Sequence, residues 1–208
     1  MSSYPTPILT TDRLTLRPFT PDDATDLMAV FSDPEVMHYW SSEPWTSIRD
    51  AEAMIEQALG CYREQSDVRF GIELASTGEV IGALNLHRFF PRNRRCEIGY
   101  ALGRAHWGRG YASEALAAGI DYAFHELRLN RIEADIDPRN TASAALLERL
   151  GFRKEGYMPE RWFVHGEMAD TVNYGLLKRY WDARGGRRAL PAYPSSLPPD
   201  PGIRPFVG

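Results

Sequence analysis

Apolar and polar positions along the chain change period several times, and each change marks an element. Over residues 8–19, Leu9, Leu14, Leu16 and Phe19 are apolar with Arg13 and Arg17 between them, which predicts an opening strand. Thr20-Pro21-Asp22-Asp23 predicts a helix start. Thr20 suits a cap, Pro21 suits the first helical position, and two acids suit the positive end of the helix dipole. That helix runs to about Phe31 and ends at Ser32-Asp33-Pro34, which also permits a short helical turn. After a loop at Ser41-Ser42-Glu43-Pro44, a second helix spans residues 47–64, with Ile48, Ala51, Met54, Ile55 and Leu59 at helical spacing. Residues 68–75 and 80–90 read as strands joined at Ser76-Thr77-Gly78, a hairpin, and residues 96–102 as the next strand of the meander.

Beyond that strand the pattern changes. Residues 103–110 form a glycine-containing loop, and a helix follows over residues 111–127 with Leu116, Ile120, Ala123, Phe124 and Leu127 on one face. Ile132, Ala134 and Ile136 alternate on a short strand that Pro138-Arg139-Asn140 breaks. A helix over residues 141–150 stops at Gly151, a good left-handed cap. Residues 152–164 and 168–177 read as two closing strands. The order is strand, two helices, three antiparallel strands, helix, strand, helix, two strands: a mixed α/β domain with no internal repeat. Residues 184–208 are rich in proline and glycine without periodicity, so the chain divides into one domain over 1–181 and a tail over 182–208.

Composition narrows the function classes. With 208 residues, 43% hydrophobic and 25% charged, the chain suits a single soluble domain with a full core. A formal net charge of −4 lacks the basic footprint of a nucleic-acid binder. Cys61 and Cys96 are too few and too far apart for a disulfide framework or a zinc site, and read as reduced buried thiols. His38, His87 and His106 lack metal-ligand spacing, so no metal is expected. No signal peptide and no membrane-length apolar run are visible, and a cytoplasmic protein without a membrane partner is expected.

The stretch from Glu97 to Ala115 carries the chemistry. A strand feeds a loop with Gly108 and Gly110, and a helix begins at once. Free N–H groups at a helix N-terminus favour an anion, and glycines let a phosphate approach the backbone. Arg109 adds a cation and Ser113 a hydroxyl. A nucleoside-triphosphate loop requires a lysine that is missing here. A dinucleotide loop of the form G-x-G-x-x-G fits Gly108 and Gly110, with Glu133 as ribose contact, but Ser113 occupies the third glycine position. A pyrophosphate loop for coenzyme A is the third scheme.

Four stretches resemble the GCN5-related N-acetyltransferase (GNAT) superfamily, in its Rim-type ribosomal-protein N-acetyltransferase branch. They are Thr11-Asp12-Arg13-Leu14-Thr15-Leu16-Arg17 within residues 9–19, Glu97-Ile98-Gly99-Tyr100, Trp107-Gly108-Arg109-Gly110-Tyr111-Ala112-Ser113-Glu114-Ala115, and Asn140-Thr141-Ala142-Ser143 continuing to Leu150-Gly151-Phe152. They occur in the family's order and spacing over about residues 8–180. The resemblance implies a mostly antiparallel sheet whose fourth and fifth strands splay apart around acetyl-CoA, with flanking helices. It implies that the backbone of Ala101 and Leu102 meets the pantetheine and thioester carbonyl. It also implies that Trp107, Gly108, Arg109, Gly110, Tyr111, Ala112 and Ser113 take the pyrophosphate with Arg104 as a further cation, and that Asn140 contacts the pantetheine. Trp107 departs from the usual Gln or Arg of this loop. The tyrosine acid that many members carry seven residues after the asparagine is replaced by Leu147, and Ser143 is the branch's alternative donor to the leaving thiol.

Each assignment has a plainer counterpart. Asn140 also suits an N-cap, and Ser143 a small helix residue. Glu97 is the candidate base for the acceptor amine, directly or through water, or else a salt bridge to Arg92, Arg94 or Arg95. Tyr157 and His165 are weaker candidates for the base. The region from Met37-His38-Tyr39-Trp40 to Trp45, with Phe89, Phe90, Trp162 and Phe163, supplies candidate acceptor walls or ordinary core. The expected activity is acetyl transfer from acetyl-CoA to a primary amine, a protein N-terminus or a small molecule, in a ternary complex, and a homodimer is admitted. The alternatives are a non-catalytic acyl-CoA-binding module and a dinucleotide-binding protein.

Overall fold

A computed structural model describes residues 7–185. The proposed tail beyond residue 185 lies outside the described residues. The opening segment is two strands, not one: β1 (Leu9–Thr10) and β2 (Leu14–Arg17) pair antiparallel through a tight reversal. Thr11 makes the turn. Its N–H donates to the Leu14 carbonyl at 2.9 Å and its hydroxyl oxygen accepts from the Leu14 N–H at 3.0 Å. No glycine or proline announces this turn; only the polar Thr11-Asp12 pair does.

The following elements are α1 (Ala24–Phe31), α2 (Pro34–Met37), α3 (Ile48–Glu64), β3 (Val68–Leu74), β4 (Val80–Phe90), β5 (Arg95–Leu102), α4 (Tyr111–Asp121), β6 (Arg131–Ile136), α5 (Thr141–Leu150), β7 (Arg153–Val164), β8 (Glu167–Leu177) and α6 (Lys178–Ala183). A short helical turn at Pro21–Asp23 precedes α1, where Asp23 accepts from the Thr20 N–H at 2.7 Å. Asp23 also receives a two-pronged bond from Arg17, 2.8 Å on each oxygen. The predicted helix over residues 111–127 changes character midway, because α4 runs on into a π turn at Tyr122–Glu126.

Eight strands form one sheet in the order β1-β2-β3-β4-β5-β6-β8-β7. All neighbours are antiparallel except β5 and β6. Helices cover both faces, so the central strand β4 is apolar on both sides: Val80, Ile81, Ala83 and Leu84 are all buried. Ile81, Leu84, Leu86, Ile98 and Leu102 pack in the layer with α4 and α5, whereas Val80, Ala83 and Ala101 pack with α1 and α3. Burial pushes the Cys96 thiol up to about 12 and keeps it inert, while Cys61 is half-buried.

The parallel pair β5–β6 positions the site. It holds register only over Arg95↔Arg131, Cys96↔Ile132 and Glu97↔Glu133. Beyond Glu97, β5 stays paired to β4 as far as Leu102, while β6 stays paired to β8 as far as Ile136↔Val172. The two strands therefore part and leave an open wedge. Its closed end is clamped. The Arg94 carbonyl accepts from the Asn130 N–H at 2.7 Å, and Glu133 takes Arg95 on one oxygen and Arg131 on the other, the latter at 2.7 Å.

Candidate active site

The loop before α4 leads straight into a helix N-terminus with no side-chain cap. Gly108 and Gly110 adopt φ of +72° and +81°, a region that side chains disfavour, and a Cβ at Gly108 would meet nothing within 4 Å. Gly110 is the N-cap of α4 and offers no side chain, so the first N–H groups of the helix, at Tyr111, Ala112 and Ser113, face the loop. Trp107 does not need to contact a ligand to matter here. Its indole N–H donates to the Leu102 carbonyl at 2.6 Å and ties the loop to the end of β5.

Arg13 braces the other side. Its guanidinium lies 4.5 Å from the centre of the Tyr111 ring, donates to the Arg109 carbonyl at 2.9 Å and pairs with Glu114 at 2.6 Å. Glu114 also accepts from the Thr11 hydroxyl at 2.6 Å and the Arg13 N–H at 2.9 Å. Burial alone would raise the Glu114 carboxyl; the Thr11 and Arg13 bonds outweigh it and hold the group below the usual range. The Thr11–Arg13 turn thus supports a loop about a hundred residues away, which periodicity cannot show. Arg104, expected among the cofactor contacts, is engaged by Asp33 at 3.0 Å.

The wedge itself brings residues from β5 and α5 together. Asn140 caps α5, its Oδ1 accepting from the Ser143 N–H at 3.0 Å. The Ser143 hydroxyl lies 2.7 Å from the Tyr100 hydroxyl of β5. Burial pushes the Tyr100 phenol up more than the Ser143 bond lowers it, so the phenol stays protonated near neutrality. Leu147 is fully buried in the core. Ala101 and Leu102 lie past the last β5–β6 pair, on the stretch of β5 that borders the wedge. Wedge, uncapped helix and positive-φ glycines together fit the arm and pyrophosphate of coenzyme A.

On the opposite face a cleft of about 230 Å³ opens beside the wedge, lined by His38, Tyr39, Trp40, His87, Glu97 and Trp162 among others. The Glu97 carboxylate pairs with Arg88 at 3.1 Å, not with Arg92, Arg94 or Arg95. Arg94 instead donates to the Arg128 carbonyl and Arg95 to Glu133. A bulge in β4 between His87 and Phe90, with Arg88 at φ +50°, aims Arg88 at Glu97. His87 stands opposite Glu97 in the β4–β5 register. Burial holds its imidazole below the ordinary range, against the pull of Glu97 and Asp67, so it is neutral near pH 7.

Several expected walls do not face this cleft. Met37 is fully buried, Trp45 stacks on Phe31 at 4.6 Å, Phe89 packs against the core and Phe90 lies under Arg95. Phe163 is 72% exposed, which leaves it without a pocket. The weaker base candidates have partners: Tyr157 donates to Asp170, and His165 meets Glu43 at 3.0 Å, which raises the imidazole. Asp135, which sequence reasoning does not single out, also lines the cleft. It accepts from Thr171, from Trp162 Nε1 at 3.2 Å and from Arg161 at 3.2 Å.

Residues 13–153 match the family model described as "Acetyltransferase (GNAT) domain". The chain is 44% identical over 171 residues to the uncharacterised N-acetyltransferase p20 of Bacillus licheniformis, covering 82% of this chain and 96% of that one. It is 31% identical over 189 residues to the [ribosomal protein uS5]-alanine N-acetyltransferase of Escherichia coli K12, covering 86% and 95%. Among solved structures, spermidine N-acetyltransferase from Vibrio cholerae in complex with CoA and spermine superposes with a TM-score of 0.73 at 25% identity, covering 82% of this chain and 99% of that one. Loop, wedge and these relatives agree: the chain belongs to the GNAT acetyltransferase family and is an acetyl-CoA-dependent N-acetyltransferase.

Proposed function

We propose that the protein acetylates a cationic primary amine by direct attack within a ternary complex, the amine entering through the cleft and the donor through the wedge. The observation that carries this is the cleft's charge. Glu97, Asp135, Asp137, Glu167 and Asp170 line it against Arg88, Arg139 and the imidazole of His165, a surplus of carboxylates that suits an ammonium. Two relatives support an amine of this kind, since one is named for an alanine of ribosomal protein uS5 and another for spermidine.

Acetyl-CoA supplies an acyl group on a good leaving thiol. In our reading the backbone of residues 108–113 holds the pyrophosphate, with Trp107 and Arg13 fixing the loop. Asn140 and the backbone of Ala101 and Leu102 border the pantetheine arm. Glu97 takes the proton the ammonium must lose, directly or through water, while Arg88 fixes the carboxylate's position. His87, neutral beside it, adds a second acceptor on the same face. Ser143 offers its hydroxyl from the opposite face, toward the leaving group.

The test is a screen of thiol release from acetyl-CoA with N-terminal alanine and serine peptides, polyamines, and the same compounds N-acetylated to secondary amides. Saturable release with cationic primary amines, and none with secondary amides, is expected. Acetyl-CoA binding without release for any amine supports a non-catalytic acyl-CoA module instead. Binding of NADH in its place supports a dinucleotide loop.

A further inference from the structure

Tyr100 and Ser143 come from different elements, 43 residues apart, and meet at the wedge with their hydroxyl oxygens 2.7 Å apart. Tyr100 lies on β5 beyond its last pair with β6, and Ser143 in the first turn of α5. The direction of the bond follows from acidity. A phenol titrates near about 10, far below an aliphatic hydroxyl, so the phenol is the better donor. With Tyr100 donating to Ser143 Oγ, the serine keeps its own hydrogen free to point elsewhere. Asn140 already holds the Ser143 N–H at 3.0 Å, so the backbone of that residue is fixed as well. Leu147, one turn further along α5, is sealed in the core and supplies no hydroxyl.

We propose that Tyr100 is a positioning residue for acetyl transfer: by donating to Ser143 Oγ it turns the Ser143 hydroxyl hydrogen into the wedge, toward the leaving sulfur. The proposal rests on the acetyl-transfer reading above. Tyr100 keeps its proton throughout. The amine forms the new C–N bond as the C–S bond breaks. Two protons leave the nitrogen on the Glu97 side, one from the ammonium before attack and one as the amide forms, each passing on to solvent, and the thiolate departs hydrogen-bonded to Ser143 and takes its proton from solvent on release. Burial of Tyr100 suits this role, because it disfavours a phenolate that would accept the serine hydrogen instead.

The test compares Tyr100→Phe, Ser143→Ala and the double variant, all checked for wild-type thermal unfolding. With Ser143→Ala slowing turnover by about a hundredfold and Tyr100→Phe by about tenfold, the double variant should be no slower than Ser143→Ala alone, because both act through one hydrogen. Affinity for CoA, measured by calorimetry, should stay within about twofold of wild type in all three, the change lying in the rate and not in binding. A second readout needs no donor. With tyrosine rings ¹³C-labelled at the hydroxyl-bearing carbon, the resonance lost in Tyr100→Phe should shift in ligand-free Ser143→Ala, and its titration should move up in pH. Multiplicative slowing in the double variant, or a Tyr100 resonance that ignores Ser143→Ala, overturns the proposal. A ligand-free Tyr100 resonance that responds as expected, in an enzyme that acetylates no amine, overturns the transfer reading on which the proposal depends.

Discussion

Replacing Gly108 by alanine isolates the backbone of the loop from everything else. At φ +72° a Cβ finds no neighbour within 4 Å, so no steric clash enters. The cost is the left-handed conformation alone, about 1–2 kcal/mol for a residue with a Cβ. The loop tip is exposed, so the alanine can relax to negative φ in the free protein and must be forced back on binding. The cost then appears in affinity, about tenfold per 1.4 kcal/mol, or roughly 5- to 30-fold weaker acetyl-CoA binding. Gly78 supplies a matched control. It has φ +77°, also meets nothing within 4 Å, and sits in the β3–β4 turn, which meets the start of the loop where Glu79 lies 3.5 Å from His106 but leaves Gly108 itself untouched. Gly78→Ala carries the same strain and should leave affinity unchanged while lowering the unfolding free energy by about 1–2 kcal/mol. Calorimetric titration of both variants, with urea unfolding of each, decides the matter. Wild-type affinity in Gly108→Ala, or equal weakening in Gly78→Ala, refutes the claim that the loop binds through this backbone.

Three further outcomes follow from the same geometry. Arg13→Ala removes the brace on Tyr111, Glu114 and the Arg109 carbonyl, and CoA affinity should fall several-fold; because Arg13 is half-exposed, the unfolding midpoint in urea should move little. Glu97→Gln should slow turnover by about a hundredfold with little change in acetyl-CoA affinity, read from steady-state kinetics and titration, and an unchanged rate removes Glu97 from proton removal. Asp23→Asn leaves Arg17 without its main partner at a buried site and should cost about 3 kcal/mol in urea unfolding. Burial would raise Asp23, but its Arg17 and Thr20 bonds hold it below its ordinary 3.8. The wild type's advantage over Asp23→Asn should therefore be complete above about pH 4 and vanish as pH falls through the lower folded value. An advantage that persists in acid contradicts this.

Much of this fold is legible in the residue pattern, for reasons that are local. The β3–β4–β5 meander, α3, α4 and α5 follow from periodicity and from the cap at Gly151, which act within a few residues. The opening segment failed because its turn rests on one threonine hydroxyl instead of a glycine or proline. The loop at Gly108 and Gly110 is readable since glycine spacing and a helix start are sequence signals. Its brace at Arg13, the Arg88 partner of Glu97 and the Tyr100–Ser143 contact were not, because each joins elements that only the sheet order brings together. For Tyr100 the sequence signal is the alternation along β5: it shares a face with Ile98 and Leu102, opposite Glu97. Aromatic residues misled most, since Trp45 and Phe89 are as apolar as a pocket wall and serve as core.

The most direct measurement on the central claim is calorimetric titration of the purified protein with acetyl-CoA, with NADH as control. Saturable binding of acetyl-CoA at one site per chain, with no heat from NADH, is the predicted result. A folded, ligand-free protein that ignores acetyl-CoA would contradict the account, because the wedge between β5 and β6 and the loop at Gly108 and Gly110 would then serve some other end.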